Sequence, residues 1–236
     1  MTGSSPAVSR ETGVPEPPEP ARSLFGDRLP TMVAYAELLA SDGVLRGLIG
    51  PREVPRLWER HLLNCAVVAE LIPSGAHIDD VGSGAGLPGI VLAVHRPDVH
   101  VTLIEPLLRR TVFLEEAVTE LGLANVTVVR QRAEERARSH PESDVVTARA
   151  VAPLERLAGW CLPLLKPGGV LLALKGSTAA DELRSAQVAL RKLGGAGEVL
   201  LVGAGVVDPP TTVVRVRRDP VTAPQRRRAR EGRSRS

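Results

Sequence analysis

His77-Ile-Asp-Asp80-Val-Gly82-Ser-Gly84-Ala-Gly86-Leu-Pro-Gly89-Ile-Val-Leu-Ala-Val-His-Arg-Pro-Asp-Val-His-Val-Thr-Leu-Ile-Glu105 is the stretch whose reading decides the fold. A short apolar run ends at Val81, and four glycines follow within the next eight positions. An apolar helical pattern begins at Leu87 with Pro88 in its first turn, where a missing N–H costs nothing. A second strand over Val99–Ile104 then delivers Glu105. Strand, tight turn, helix and strand make the first unit of a doubly wound α/β sheet. Glycines let a ligand approach the main chain without meeting a Cβ. An acid about 20 residues on, at the tip of the next strand, stands where a ribose diol is held. The turn is therefore expected to bind a nucleoside-containing cofactor.

Two cofactor chemistries fit that turn. Gly84-Ala-Gly86-Leu-Pro-Gly89 satisfies the dinucleotide pattern G-x-G-x-x-G, a weak signal alone. The glycines begin earlier, however, in Asp80-Val-Gly82-Ser-Gly84-Ala-Gly86. That arrangement resembles the first motif of Rossmann-like methyltransferases that use S-adenosylmethionine. Charge separates the two. A pyrophosphate wants amide N–H groups and no nearby carboxylate. An ammonium and a sulfonium tolerate or prefer Asp79 or Asp80 close by.

At 236 residues the chain suits one α/β domain with extensions. No apolar run is long enough to span a membrane, and no signal-like segment opens the chain. Cys65 and Cys161 give neither a disulfide framework nor metal-ligand spacing. These readings point to a cytoplasmic protein with no membrane partner and no metal. The pI near 9.3 arises at one end. Residues 219–236 hold six arginines and two acids, leaving 24 basic and 25 acidic residues in 1–218. Such an arm attracts RNA without sequence preference, or is simply solvated. The aromatic residues Phe25, Tyr35, Trp58, Phe113 and Trp160 do not cluster as a base-stacking sheet requires.

Residues 1–21, rich in proline, serine and glutamate, are expected to be disordered. Two helical stretches, Leu24 to about Leu48 and about Arg56–Leu71, form a cap over 22–75. The main domain covers 76–218, and the tail 219–236 is expected to be disordered. Beyond Glu105, a helix over Leu107–Leu121 carries Arg109 and Arg110 in its first turn. Cations are awkward there, which favours an anionic partner. The third strand leads into Ala133-Glu134, where an adenine is contacted in this architecture; a helix-opening acid is an equal reading of Glu134. The fourth strand delivers Arg149 to the carboxyl edge, where ligands of open α/β sheets bind. The fifth, Val170–Leu174, follows a Pro167-Gly168-Gly169 turn and ends in Lys175-Gly176. Two further strands, Glu198–Val202 and Thr211–Val216, close the sheet.

Taken together, several blocks resemble the small-subunit ribosomal RNA guanine-N7 methyltransferases, also called the glucose-inhibited division protein B family. They are Arg60-His61-Leu-Leu-Asn64, Asp79 through Gly89, Arg109-Arg110 leading to Phe113-Leu114, Ala133-Glu134, Ala148-Arg149-Ala150 and Ala173-Leu174-Lys175-Gly176. The resemblance runs from about Met32 to Arg217. It implies a class I methyltransferase fold: α/β, Rossmann-like, a mostly parallel doubly wound sheet with a closing antiparallel strand and an N-terminal helical cap. It also implies transfer of a methyl group from S-adenosylmethionine to N7 of a guanine in the decoding-region loop of 16S rRNA. The expected partner is the small ribosomal subunit or its precursor, met by a monomer. Cofactor contacts would fall on Gly82, Gly84, Gly86, Leu87, Glu105, Ala133, Glu134 and Arg149. Arg60, His61, Arg109, Arg110 and Lys175 are the candidate RNA contacts, with an ordinary surface or hydrogen-bonded role open for His61. Asn64-Cys65 stands where an Asp-Ser pair is common, and Ala148 replaces a frequent serine.

The missing motifs agree with that chemistry. Guanine N7 carries a free lone pair and needs no general base. No Asn/Asp-Pro-Pro-aromatic loop follows the fourth strand, and Asp208-Pro209-Pro210 is followed by Thr211. Neither cysteine sits in an edge loop as a pyrimidine C5 nucleophile would. Against an NAD-dependent oxidoreductase stands the lack of a Tyr-x-x-x-Lys pair, Tyr35 being the sole tyrosine. A small-molecule methyltransferase is the closer rival.

Overall fold

Residues 13–140 and 142–220 are described by the structure, a computed structural model. Seven strands form one sheet in the order β3-β2-β1-β4-β5-β7-β6. They are β1 (His77–Val81), β2 (His100–Ile104), β3 (Val126–Val129), β4 (Ser143–Arg149), β5 (Leu165–Lys175), β6 (Gly195–Val202) and β7 (Thr211–Arg218). β1 to β5 pair in parallel, and β7 runs antiparallel to both β5 and β6. The chain winds outward from β1 through β2 to β3, then restarts at β4 on the other side of β1. The carboxyl ends of β1 and β4 are therefore the switch point, where a crevice opens.

Helices cover both faces, as the sequence demands. Along a strand, side chains alternate between faces. Val145, Leu172 and Val213 join one buried cluster, while Val146, Leu171, Ala173 and Val214 join the other. The first cluster is closed by α4 (Gly89–His95), by α5 (Leu108–Glu120) and by the N-terminal cap. The second is closed by α6 (Ala133–Ser139), α7 (Leu154–Cys161) and α8 (Ala179–Lys192).

The cap is helical but broken. It comprises α1 (Glu19–Phe25), α2 (Leu29–Leu38) and a π-helical turn Leu39–Gly43. A 3-10 turn Pro51–Arg56, a second π-helical turn Leu57–Leu62 and the short α3 (Leu63–Ala66) complete it, running on to Leu71 as 3-10 helix. No helix among the described residues is long and apolar enough to cross a membrane.

Three expectations need correction. Residues 1–21 are expected to be disordered, with little to bury, yet Val14 is buried and the Pro15 carbonyl accepts from Trp58 Nε1 at 2.9 Å. Helix α1 starts within that segment, at Glu19, because Ala21 and Phe25 have the cap to pack on. Residues 1–12 lie outside the described residues. Strand β5 starts five residues before Val170, passing through Pro167-Gly168-Gly169, because Ser143 pairs with Leu165 ahead of an irregularity in β4. Strand β6 likewise starts at Gly195 and pairs with Arg218. Of the expected tail, 221–236 lie outside the described residues, while the Asp219 amide donates to Gly194 O at 2.7 Å.

Candidate functional site: a cleft at the switch point

A cleft of about 950 Å³ opens at the carboxyl ends of β1, β2 and β4. Its walls carry Gly82, Gly84 and Leu87 after β1, Glu105 and Arg110 after β2, Ala133 and Glu134 after β3, and Arg149 at the end of β4. These residues are up to 67 positions apart, and parallel winding alone brings them to one edge. Arg130 and Arg132 add further positive charge to the wall.

The turn after β1 does two separate jobs. Gly82 and Gly84 line the cleft, both at positive φ. Gly86 does not line it. A Cβ there would stand 2.5 Å from Ile90 Cδ1 and 2.9 Å from Tyr35 Oη, so its role is close packing beneath the turn. Tyr35, fully buried in the cap, donates to Ala85 O at 2.7 Å and clamps the turn from below. The assignment of Gly86 as a ligand contact is thus redirected to packing.

Neither Asp79 nor Asp80, one of which was expected close to the ligand, lies in the cleft wall. Asp80 is fully buried beneath the turn: Oδ2 accepts from the Gly89 amide at 3.2 Å and Oδ1 from Thr147 Oγ1 at 2.8 Å. Burial pushes its carboxyl up to about 6. Asp79 points to the other face of the sheet, 3.9 Å from Arg136 Nη2, and burial raises its pKa as well.

Glu105 is the acid that does reach the cleft. Its Oε2 accepts from the Gly84 amide at 3.1 Å and Oε1 from the Leu107 amide at 3.1 Å. Arg110 Nη1 lies 3.5 Å from Oε2, while Arg110 Nε is buried with no hydrogen-bond partner in the protein. A buried donor without a partner costs free energy that a bound group can recover. The cleft thus presents main chain without a Cβ at Gly84, a buried carboxylate at the tip of β2 and guanidinium groups that can take anions. That donor set fits S-adenosylmethionine. Ala133 opens α6, and Glu134 beside it is exposed.

Arg149 is held from behind. Its Nη2 sits 2.6 Å from His61 Nδ1, and His61 Nε2 sits 2.8 Å from Glu53 Oε2. His61 therefore spends both ring nitrogens inside the protein, with a side chain 12% exposed. It is not presented as an RNA contact. Cys65 Sγ lies 3.8 Å from Arg149 Nη1, and burial raises the Cys65 thiol to about 11. Asn64 is likewise spent: its Oδ1 accepts from Thr211 Oγ1 at 2.7 Å. Ala150, next to Arg149, has φ +54, a left-handed conformation uncommon away from glycine.

Lys175 is a second correction among the RNA candidates. Its Nζ donates to Ala152 O and Glu182 Oε2, both at 2.8 Å, and its side chain is 10% exposed. Glu182 also accepts from the Leu154 amide at the start of α7. The lysine braces the loop after Arg149. Arg109 is exposed and Arg60 is 56% exposed, loosely paired at 3.6 Å with Glu53. Sequence reasoning missed Glu53, Tyr35 and Thr147. No local pattern marks them, because their partners lie 8, 50 and 67 residues away. Among the described residues no group of three or more His, Cys, Asp or Glu side chains could hold a metal ion.

The family model described as rRNA small subunit methyltransferase G, GidB, matches residues 28–202. A ribosomal RNA small subunit methyltransferase G from Salinispora tropica is 59% identical over 241 residues, covering 98% of this chain and 100% of that protein. One from Streptomyces avermitilis is 65% identical over 204 residues, covering 86% of each. Among solved structures, an S-adenosylmethionine-dependent methyltransferase from Aquifex aeolicus superposes with TM-score 0.54 at 19% identity, over 73% of this chain and 97% of that one. An S-adenosylmethionine-dependent O-methyltransferase from Thermotoga maritima gives 0.51 at 19%, over 67% and 66%. At that identity the structures speak to the fold, the Rossmann-like arrangement of class I methyltransferases.

Proposed function

We propose, from the premise that this chain belongs to the rRNA small subunit methyltransferase G family, that it methylates N7 of a guanine in 16S rRNA with S-adenosylmethionine as donor. The observation that carries this reading is the cleft itself. A buried carboxylate, Glu105, and the open main chain at Gly84 share a hydrogen bond at the mouth of a switch-point crevice. S-adenosylmethionine supplies an electrophilic methyl group, and guanine N7 supplies a lone pair that needs no base.

The residues of this chain then have to bind and orient. Glu105 receives the ribose hydroxyls in exchange for its present amide contacts. Leu87 and the main chain at Gly82 and Gly84 form the floor, and the Ala133 amide and Glu134 meet the adenine. Arg149 holds an anion, the donor carboxylate or an RNA phosphate. It stands off from N7, since a cation there would oppose the charge arriving on the purine. Fixing two reactants in line is worth several kcal/mol by itself. Residues 22–75 act as the cap on a methyltransferase domain over 76–218. Arg60 and Arg109 are the exposed cations for RNA, and Arg110 serves the cleft. The target is the small ribosomal subunit or its precursor, met in the cytoplasm by a single chain.

The test is incubation of purified protein with methyl-labelled donor and either small ribosomal subunits or small-molecule acceptors. Label should enter 16S rRNA, with strand scission at one guanine after reduction and aniline. Label in small molecules alone, or tight binding of NADH with the sulfonium compound ignored, would overturn the reading.

A further inference from the structure

Three residues from three separate segments form one line into the cleft wall. Glu53 lies in the 3-10 turn Pro51–Arg56, His61 in the π-helical turn Leu57–Leu62, and Arg149 at the end of β4. The two links are 2.8 Å and 2.6 Å. A guanidinium only donates, so His61 Nδ1 must carry the lone pair. The ring proton is then on Nε2 and is donated to Glu53. This arrangement gives both ring nitrogens of His61 a partner, and it requires a neutral imidazole. Burial, and then the neighbouring Arg149 charge, lower the His61 pKa and keep the ring in that form.

We propose that Glu53 is a positioning residue for the reaction: it fixes the orientation and tautomer of His61, which in turn holds the Arg149 guanidinium towards the anion bound in the cleft. The proposal rests on the methyltransferase reading given above and adds the residue through which the cap governs Arg149. The charged and titratable groups facing His61 are Glu53 and Arg60 from the cap and Arg149 from the sheet, with Cys65 touching Arg149. Protonation of His61 turns Nδ1 into a donor and sets like charges face to face, so Arg149 leaves its position. Activity therefore falls on the acid side, as pH drops through the lowered His61 pKa.

The test compares Arg149→Ala, Glu53→Ala and Glu53→Gln with the wild type. Calorimetry with S-adenosylhomocysteine, which keeps the donor carboxylate, and RNA binding are the two arms. Whichever ligand Arg149→Ala weakens, Glu53→Ala should weaken too, by about tenfold, the scale of one charge-assisted hydrogen bond, with kcat changed less than KM. Glu53→Gln keeps an oxygen for Nε2–H and should recover most of that loss. Without the carboxylate charge, its acid limb should move to lower pH. Nitrogen-15 spectra of histidine-labelled wild type should show His61 as a single Nε2–H tautomer at pH 8. Mixed tautomers, or Glu53→Ala binding both ligands like the wild type while Arg149→Ala does not, would overturn the proposal. If Glu53→Ala fails to fold, the spectra and Glu53→Gln decide. Wild type that labels no RNA but shows the single tautomer and Glu53-dependent binding would sink the RNA reading alone.

Discussion

Asp80 Oδ1 accepts a hydrogen bond from Thr147 Oγ1 at 2.8 Å, tying the carboxyl ends of β1 and β4 together directly beneath the cleft. The pair is buried, and the acid's other oxygen holds the Gly89 amide. The acid found here is thus a strut of the binding site and makes no part of its wall.

That strut has a pH signature. Burial raises Asp80 from the ordinary 3.8 to about 6, so between those values the folded protein keeps a proton that the unfolded chain has released. Its contribution to stability is full below 3.8 and is lost as pH rises through about 6. Asp80→Asn has no such loss, although its NH2 group must face a present donor. The unfolding free energy of the variant relative to wild type, read from urea melts, should therefore improve from pH 4 to pH 7, by on the order of 3 kcal/mol for a shift of that size. A difference flat with pH would mean that Asp80 ionises normally in the folded protein.

The two glycines Gly84 and Gly86 should separate binding from folding. Gly84 has φ +59, and an added Cβ would have nothing nearer than 3.8 Å. Alanine there should cost about 1 kcal/mol for the left-handed backbone. Its larger effect should be on donor affinity, since the methyl group stands on the cleft wall. Gly86→Ala meets Ile90 at 2.5 Å with φ +95, and should cost about 2–4 kcal/mol of stability. Urea midpoints and donor calorimetry on both variants give the comparison. Equal stability losses would refute the division.

Lys175 and Arg109 should differ in the same way towards RNA. Removing Lys175 strands Glu182 and loosens the loop behind Arg149, so Lys175→Met should cost about 1–3 kcal/mol. The salt slope of RNA binding should not change. Arg109→Ala should leave stability within about 0.5 kcal/mol, and the slope of log affinity against log salt should fall by about one. A Lys175 variant with a reduced slope and unchanged melting would restore that lysine to the RNA face.

What the sequence made legible is what local chemistry decides. The period-2 apolar strands, the glycines with Pro88, and the acid at the tip of β2 each carry their signal within a few residues. Glu105, Ala133, Glu134 and Arg149 share the cleft wall because parallel winding puts strand ends at one edge, whatever the loops do. Lys175 also ends a strand, but Glu182 seven residues on captures it, and no pattern distinguishes a lysine facing a ligand from one facing a helix. His61 and Glu53 depend on how a broken cap lands on the sheet. That landing is fixed by long-range contacts such as Tyr35 to Ala85, which no window of sequence contains. Asp79 or Asp80 was expected beside the ligand, yet Asp80 faces the Gly89 amide and Thr147, because charge complementarity alone does not say which side of the turn a carboxylate occupies.

The N-terminal segment offers the last prediction. Trp58 is 2% exposed, and its indole N–H is spent on Pro15 O, 43 residues earlier. Trp160, by contrast, is half-buried at the cleft. The two indole protons should therefore exchange with solvent at very different rates, Trp58 slowly and Trp160 fast. Trp58→Phe should cost about 1 kcal/mol for the lost hydrogen bond. Deleting residues 1–17 removes both the acceptor and the buried Val14 side chain, and should cost about 2–4 kcal/mol. In the deletion the Trp58 indole should exchange quickly. If stability and indole exchange are unchanged in the truncated chain, residues 13–17 do not hold the cap in solution.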